Sequence, residues 1–213
     1  GSDAQKLKEA GVNMVRLNQG NNSSKYNWKK KISSHPDWYN NVYENNWDQT
    51  AAYYADNTPN IQMMWAVQLR GQVAPKANNN FNDWEYNNSQ WWQGVHQNLA
   101  GGGEANSDNP AGDALVEGNS SLYTQEWPAD STVALLDHWF GDGGLGYDQN
   151  QFLYWNMDNE ADIWNNTHDD VMPGELLPAA DFMVKHIETA KKARAKFPDI
   201  KICGPVTTNE WQW

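Results

Sequence analysis

The chain has 213 residues, enough for one domain with a hydrophobic core. Its formal net charge is −12, and the short basic runs at 29–31 and 191–196 do not form a stripe that could follow phosphates. Nucleic acid is therefore not expected as a partner, and no run of 18 or more apolar residues predicts a membrane span.

Aromatic and amide side chains dominate the composition. The chain has 13 Trp, 9 Tyr and 5 Phe residues, whereas a disordered chain would be poor in them. Indole faces stack on the C–H faces of sugar rings, and amides bond with sugar hydroxyls. The composition therefore favours a folded protein with a sugar-binding surface, although about half of the Trp residues are expected in the core.

The first predicted elements alternate between helices and strands. A helix over 3–10 ends at Gly11, and a strand over 12–17 follows it. A helix over 47–56 precedes a nearly continuous apolar strand over 61–68. Such a strand is typical of a parallel sheet that is buried on both faces.

The middle of the chain continues the alternation. The spacing of Trp and Leu residues predicts a helix over 87–100. A second helix over 131–140 takes Asp130 as its predicted N-cap and ends at Gly141. A short apolar strand follows over 152–157.

The last elements are one long helix and one strand. Pro178 is predicted at the start of the helix. The predicted apolar face of this helix consists of Ala179, Met183, Ile187 and Ala190. A strand over 199–203 ends in Cys203, which is interpreted as a buried thiol. Helices that alternate with strands predict βαβ units and hence an α/β chain with a parallel sheet.

Polar side chains follow each of the four predicted strands. They are Asn18 and Gln19, Gln68 and Arg70, Asn159 and Glu160, and Asn209 and Glu210. Each pair by itself could belong to an ordinary turn. Four such pairs in succession favour the active face of a (β/α) barrel, where chemistry lies at the carboxyl ends of the strands.

Several motifs together resemble glycoside hydrolase family 44, a family of endo-acting β-1,4-glucanases and xyloglucanases. They are Tyr26-Asn27-Trp28, the segment 33–38, Asp158-Asn159-Glu160, Thr167-His168, and Gly204-Pro205 with Asn209-Glu210-Trp211. The resemblance implies a (β/α)8 TIM barrel and an accessory β-sandwich. The four predicted strands match barrel strands two to five. Residues 1–213 are therefore expected to form about half of a single catalytic domain, with the sandwich outside this chain.

The resemblance also implies roles for individual residues. Glu160 matches the general acid/base, and Asn159 matches the residue that contacts the sugar 2-hydroxyl. Ala161 stands where the family usually has Pro. A retaining glycosidase needs a second carboxyl group, and the family's nucleophile, which follows the seventh barrel strand, has no counterpart in this chain.

Further candidates would bind the substrate. They are Tyr26, Trp28, Trp65, Trp164, Glu210 and Trp211. For each aromatic ring, packing in the core is an equally open interpretation.

No cofactor and no metal ligand is assigned. Asp158, Glu160 and Asp162 have the alternate spacing of a calcium loop, but Ile163 stands where such a loop needs Gly. The segment His168-Asp169-Asp170 could bind a divalent ion, but a solvated turn is the favoured interpretation of that segment. A structural calcium ion elsewhere is left open.

The predicted function is hydrolysis of β-1,4 bonds in cellulose or xyloglucan by a retaining double displacement. The expected partners are the polysaccharide and the remainder of the catalytic domain. A secreted, extracellular protein is expected from the resemblance, although no signal peptide is recognised in the chain, and the isolated segment is expected to be inactive. The alternatives are a non-catalytic carbohydrate-binding module and an interaction fragment.

Overall fold

A computed structural model describes most of the chain. The described residues are 3–17, 20–34, 42–75, 104, 106–109, 112–117, 119, 121, 124–168 and 177–209. Several predictions lie outside them, namely those for Asn18, Gln19, Glu210, Trp211 and the helix over 87–100.

The described residues contain five α-helices and eight strands. The α-helices are α1 (Asp3–Glu9), α2 (Trp47–Asn57), α3 (Ala129–Phe140), α4 (Trp164–Thr167) and α5 (Ala179–Lys196). The strands are β1 (Met14–Arg16), β2 (Ile32–Ser34), β3 (Val42–Glu44), β4 (Gln62–Val67), β5 (Gln72–Val73), β6 (Gln125–Glu126), β7 (Tyr154–Met157) and β8 (Lys201–Cys203). None of these helices is both long and apolar enough to cross a membrane.

The central element is a four-stranded sheet in the order β1-β4-β7-β8. All three neighbouring pairs are parallel, and Arg16, Met64, Tyr154 and Lys201 lie side by side across it. Each strand falls inside one of the four predicted ranges. The predicted fold class is confirmed: the chain is α/β, and its sheet supplies about half of a (β/α)8 barrel. The antiparallel pairs β2–β3 and β5–β6 were not predicted.

One face of the sheet packs against the helices and forms the core. Trp65 of β4 meets Trp139 of α3 edge-on, with ring centroids 4.9 Å apart. Trp139 also contacts Phe152 at 5.4 Å and Trp155 at 5.6 Å. All four rings are fully buried. Because side chains alternate along a strand, the neighbouring residues point to the opposite face, towards the barrel interior.

That inner face is open at part of the described sheet only, because Ala66 and Asn156, further along β4 and β7, are fully buried. Met14 is 40% exposed, Arg16 and Lys201 are also exposed, and Met64 and Tyr154 are half-buried. The two faces of the sheet therefore differ. The helix-facing side is a finished apolar core, whereas the inner side holds charged and partly exposed residues.

The predicted apolar face of the last helix is wrong for Ala179, Met183 and Ile187, whereas Ala190 packs against the core as predicted. Helix α5 packs against the core through Phe182, Thr189 and Ala193. Met183 and Ile187, which were assigned to the buried face, are exposed. A helix with apolar residues around most of its circumference does not reveal by spacing alone which side is covered.

Two smaller predictions also change. Pro128 is the N-cap of α3, and Asp130 lies in its first turn, where its carboxylate accepts hydrogen bonds from Lys192 Nζ at 2.7 and 2.8 Å. Cys203 is only partly buried, because β8 is the outermost strand of the described sheet.

Candidate active site

The site is built around Asp158, which follows the last residue of β7. Its carboxylate is fully buried. Oδ1 accepts hydrogen bonds from Ser24 Oγ and from the main-chain N–H of Asn159 at 2.8 Å, and Oδ2 accepts one from the N–H of Leu69 at 2.5 Å. Asp158 therefore joins the segments that follow β1, β4 and β7.

Charged and polar groups are packed beneath this strand end. Lys25, Arg70 and His168 are all buried, and the Arg70 guanidinium lies over the Trp164 ring at 5.0 Å. Burial raises the pKa of Asp158, although its three hydrogen bonds and the charge of Arg70 act in the opposite direction. Burial also lowers the pKa of His168 well below its ordinary value, and the charges of Lys25 and Arg70 add to that effect. The His168 imidazole is therefore neutral at neutral pH.

Asn159 connects this buried cluster to the carboxyl group of Glu160, which is only partly buried. Its main-chain oxygen accepts a hydrogen bond from Trp164 Nε1 at 2.8 Å. Its side-chain Oδ1 accepts one from Arg16 Nη2 at 3.1 Å. Nδ2 donates to Asn21 Oδ1 and to Glu160 Oε2, both at 3.0 Å. The amide is thus fixed on both sides, and the residue is only 4% exposed.

Glu160 presents its carboxyl group at the carboxyl end of β7. Its main-chain N–H donates to the Val206 oxygen at 2.9 Å, which ties it to the segment after β8. Glu160 and Asp158 have φ angles of 47° and 60°, in the left-handed region. Such a conformation costs a residue other than Gly about 1–3 kcal/mol and persists only where surrounding contacts enforce it. The hydrogen bonds of Asp158, Asn159 and Glu160 hold the two residues in this conformation.

Four members of the site were not identified from the sequence, namely Arg16, Asn21, Ser24 and Lys25. Arg16 lies on the inner face of β1. Desolvation lowers its pKa, and the negative charge of Glu160 acts against that shift. A single Arg at an inward position of an apolar strand was an available signal. Asn21 lies in a segment with many amides, so nothing in the sequence distinguished it.

Three of the predicted sugar-stacking rings are core residues. Tyr26 stacks on Trp47 with centroids 3.7 Å apart, and it is buried. Trp65 and Trp164 are fully buried. Stacking on a sugar needs an exposed ring face, and Tyr26 is 3% exposed while Trp65 and Trp164 are not exposed at all. The stacking prediction is therefore wrong for these three rings.

Trp28 keeps an exposed part. Its Nε1 donates to the Ser131 oxygen at 2.7 Å, and its ring stacks on His138 with centroids 5.1 Å apart. Its contact with substrate stays a prediction. Glu210 and Trp211 lie outside the described residues, and so do their predicted roles.

The three acidic residues at 158, 160 and 162 do not form a calcium loop. The Asp158 carboxylate points towards Ser24 and Leu69. The Asp162 carboxylate instead accepts hydrogen bonds from Thr208. In the described part of the chain, no group of three or more His, Cys, Asp or Glu side chains is arranged to hold a metal ion.

Solved structures with the same fold belong to larger proteins. The chain superposes on CelM2, a bifunctional glucanase-xylanase from a metagenome library, with a TM-score of 0.72 and 21% identity over 97% of this chain and 41% of that one. A family 44 xyloglucanase from Paenibacillus polymyxa, solved with xyloglucan, gives 0.56 and 18% over 90% and 37%. Cel44A, a family 44 endoglucanase from Clostridium thermocellum, gives 0.58 and 14% over 92% and 38%. The chain thus spans about two fifths of the length of these proteins.

The sequence itself matches the model of one protein family. That family is glycoside hydrolase family 44, and the match covers residues 32–213. A comparison with curated proteins finds no match. Because the family match includes most of the chain and the strand end with Asn159 and Glu160, the chain belongs to glycoside hydrolase family 44.

Proposed function

We propose that the chain contains the acid/base half of a retaining endo-β-1,4-glucan hydrolase that acts on cellulose or xyloglucan. The observation that supports this most is the Glu160 carboxyl group at the carboxyl end of a parallel strand. It accepts a hydrogen bond from Asn159, which Arg16 holds in turn. Family 44 proteins of the same fold that are described as a xyloglucanase and an endoglucanase support the substrate class.

In the first step, Glu160 acts as a general acid. A carboxylate nucleophile attacks the anomeric carbon, the glycosidic C–O bond breaks, and protonated Glu160 gives its proton to the leaving oxygen. The products are a sugar with a free hydroxyl and a glycosyl ester on the nucleophile. Proton donation matters most for a poor leaving group such as a sugar alcohol, which departs slowly as an alkoxide.

In the second step, Glu160 acts as a general base. Its carboxylate takes a proton from water as the water oxygen attacks the anomeric carbon and releases the nucleophile. The two carboxyl groups of a retaining glycosidase are about 5–5.5 Å apart. We assign the nucleophile to a part of the protein outside residues 1–213, so these residues alone should not hydrolyse glucan.

Asn159 and Arg16 prepare the carboxyl group for both steps. Asn159 Nδ2 bonds to Glu160 Oε2 and sets its direction. When substrate binds, the same N–H could exchange this bond for one to the sugar 2-hydroxyl. Arg16 keeps the amide oriented and adds positive charge next to Glu160.

The proposed location of the protein follows from its proposed substrate. A polymeric cell-wall glucan is met outside the cell, so an extracellular location is part of this proposal. The reaction needs no cofactor, since both steps use carboxyl groups and water. With a net charge of −12, no affinity for nucleic acid is expected.

The proposal is tested by Glu160→Gln in the full-length protein. The variant keeps the shape of the side chain but cannot donate the proton. The kcat/KM for xyloglucan should fall by about 100-fold or more, the usual contribution of a general acid. The kcat/KM for a dinitrophenyl cello-oligosaccharide should change by less than about 5-fold, because that leaving group departs without protonation.

Glu188→Gln is the matched control. Glu188 lies on α5 with 55% of its side chain exposed and pairs with Lys192 at 3.7 Å. It should leave both rates unchanged. Equal losses on the two substrates in Glu160→Gln would refute the assignment of Glu160. A wild-type protein that binds xyloglucan but releases no reducing sugar would instead establish the binding-module alternative.

A further inference from the structure

We infer that Asp158 is a positioning residue for Glu160: its buried carboxylate fixes the strand end so that the acid/base group points at the scissile bond. The inference rests on the proposed function of Glu160. Asp158 itself is fully buried and does not meet the substrate.

The Asp158 carboxylate accepts hydrogen bonds from three segments that follow different strands of the sheet. Ser24 follows β1, Leu69 follows β4 and Asn159 follows β7. All three donate to its two oxygens. In a parallel sheet these segments meet at the edge where the site lies. Asp158 is therefore the point at which the relative positions of three strand ends are fixed.

The orientation passes from Asp158 to Glu160 through Asn159. The main-chain N–H of Asn159 is held on Asp158 Oδ1 at 2.8 Å, and the Asn159 side chain donates to Glu160 Oε2 at 3.0 Å. Asn156 Nδ2 also donates to the main-chain oxygen of Asp158 at 2.7 Å, which fixes the turn from the other side. Both residues that flank Asn159 have left-handed backbone angles, so the turn depends on these contacts.

Only a carboxylate can serve this arrangement. Oδ1 and Oδ2 both act as acceptors, and the groups that face them are donors. An Asn side chain of the same shape offers one acceptor and one NH₂ donor. In either orientation of the amide, at least one donor would meet another donor, and the strand ends would shift.

The test is Asp158→Asn in the full-length protein, assayed on xyloglucan and on a dinitrophenyl cello-oligosaccharide. A misplaced acid should lower kcat/KM for xyloglucan by about 100-fold, the usual effect of a displacement near 1 Å. The rate on the activated substrate, which needs no proton donor, should fall by less than about 5-fold. A purely structural loss would lower both rates by the same factor.

Asp48→Asn is the matched control for a structural carboxylate. The Asp48 carboxylate also contacts three side chains, namely those of His138 at 2.9 Å, Trp139 at 2.8 Å and Lys31 at 3.0 Å. Asp48 lies in helix α2, away from the strand ends. Its loss should change both rates by the same factor. Ser24→Ala removes one of the donors to Asp158 and should show the selective loss at about 10-fold, smaller than for Asp158→Asn because the other two hydrogen bonds remain.

The comparison with Glu160→Gln separates the two hypotheses. If Glu160→Gln shows the selective loss and Asp158→Asn lowers both rates equally, the positioning role is wrong and the proposed function stands. If Glu160→Gln itself lowers both rates equally, the proposed function is wrong and the inference falls with it. If Asp158→Asn does not fold, Ser24→Ala decides: a selective loss on xyloglucan supports the inference, and an equal factor of change on both substrates overturns it.

Discussion

The helix-facing core and the carboxyl end of the sheet are buried by different chemistry. In the core, aromatic rings such as Trp65, Trp139 and Phe152 meet edge-on and are fully covered. At the strand ends, buried positions are occupied by charged or ionisable residues such as Asp158 and His168. Apolar burial stabilises a fold, whereas a buried charge is costly unless it is paired and hydrogen-bonded.

The two regions have different tasks: the core stabilises the fold, and the strand ends fix the geometry of the site. The core requires only that apolar volume be filled, so aromatic side chains suffice there. The strand ends must hold Glu160 in one direction, and they do so with directional bonds and two left-handed residues that oppose stability. Variants in the two regions should therefore fail in different ways.

The largest effect on stability is expected in the core. Leu136→Ala, in α3, removes a fully buried side chain and should lower the free energy of unfolding by about 2–5 kcal/mol. Urea denaturation of the full-length protein measures it. The ratio of kcat/KM on xyloglucan to that on the activated aryl substrate should equal the wild-type ratio, because the variant leaves the strand end intact.

Leu145→Ala is the control with the same substitution. Leu145 is 44% exposed in the turn after α3, and its loss should cost less than about 1 kcal/mol. Similar costs for both variants would contradict the assignment of the core. A changed substrate ratio in Leu136→Ala would show that the two regions are not separable.

A smaller effect is expected on the pH dependence of the free energy of unfolding. It comes from His168, which lies near the strand ends. His168 is neutral in the folded state because burial lowers its pKa, whereas in the unfolded chain it takes up a proton near pH 6.5. The contribution of the neutral His168 imidazole to the free energy of unfolding is fully present above pH 6.5. It is lost as the pH falls from 6.5 towards the lowered pKa of the folded state. Linkage gives about 1.4 kcal/mol per pH unit in that range.

His168→Gln should remove this slope. Urea denaturation at pH 7.0 and 5.5 should give a smaller drop in unfolding free energy for the variant than for wild type, and Leu136→Ala should keep the wild-type drop. The same drop in His168→Gln and wild type would mean that the imidazole titrates normally in the folded protein. The two regions would then not differ in the way described.

The fold could be predicted further than the site. Nearly continuous apolar runs identified β4 and β7, and the polar residues after β7 identified Asn159 and Glu160, because both signals lie within a few neighbouring residues. Whether Trp65 faces the helices or the barrel interior could not be predicted, since a strand that is apolar on both sides does not show which side faces the helices. The role of Asp158 was hidden for another reason. Its partners Ser24 and Leu69 are 134 and 89 residues away in the sequence.

The assignment of Glu160 as the acid/base of a retaining glycosidase is the central claim, and azide rescue of Glu160→Ala tests it most directly. In the full-length variant, the glycosyl ester forms from a dinitrophenyl cello-oligosaccharide, but water attacks it slowly because no base remains. Azide needs no base, so it should restore turnover and yield the β-glycosyl azide, with retained configuration. An α-glycosyl azide would mean that Glu160 is the nucleophile, and no acceleration by azide would mean that it has neither role.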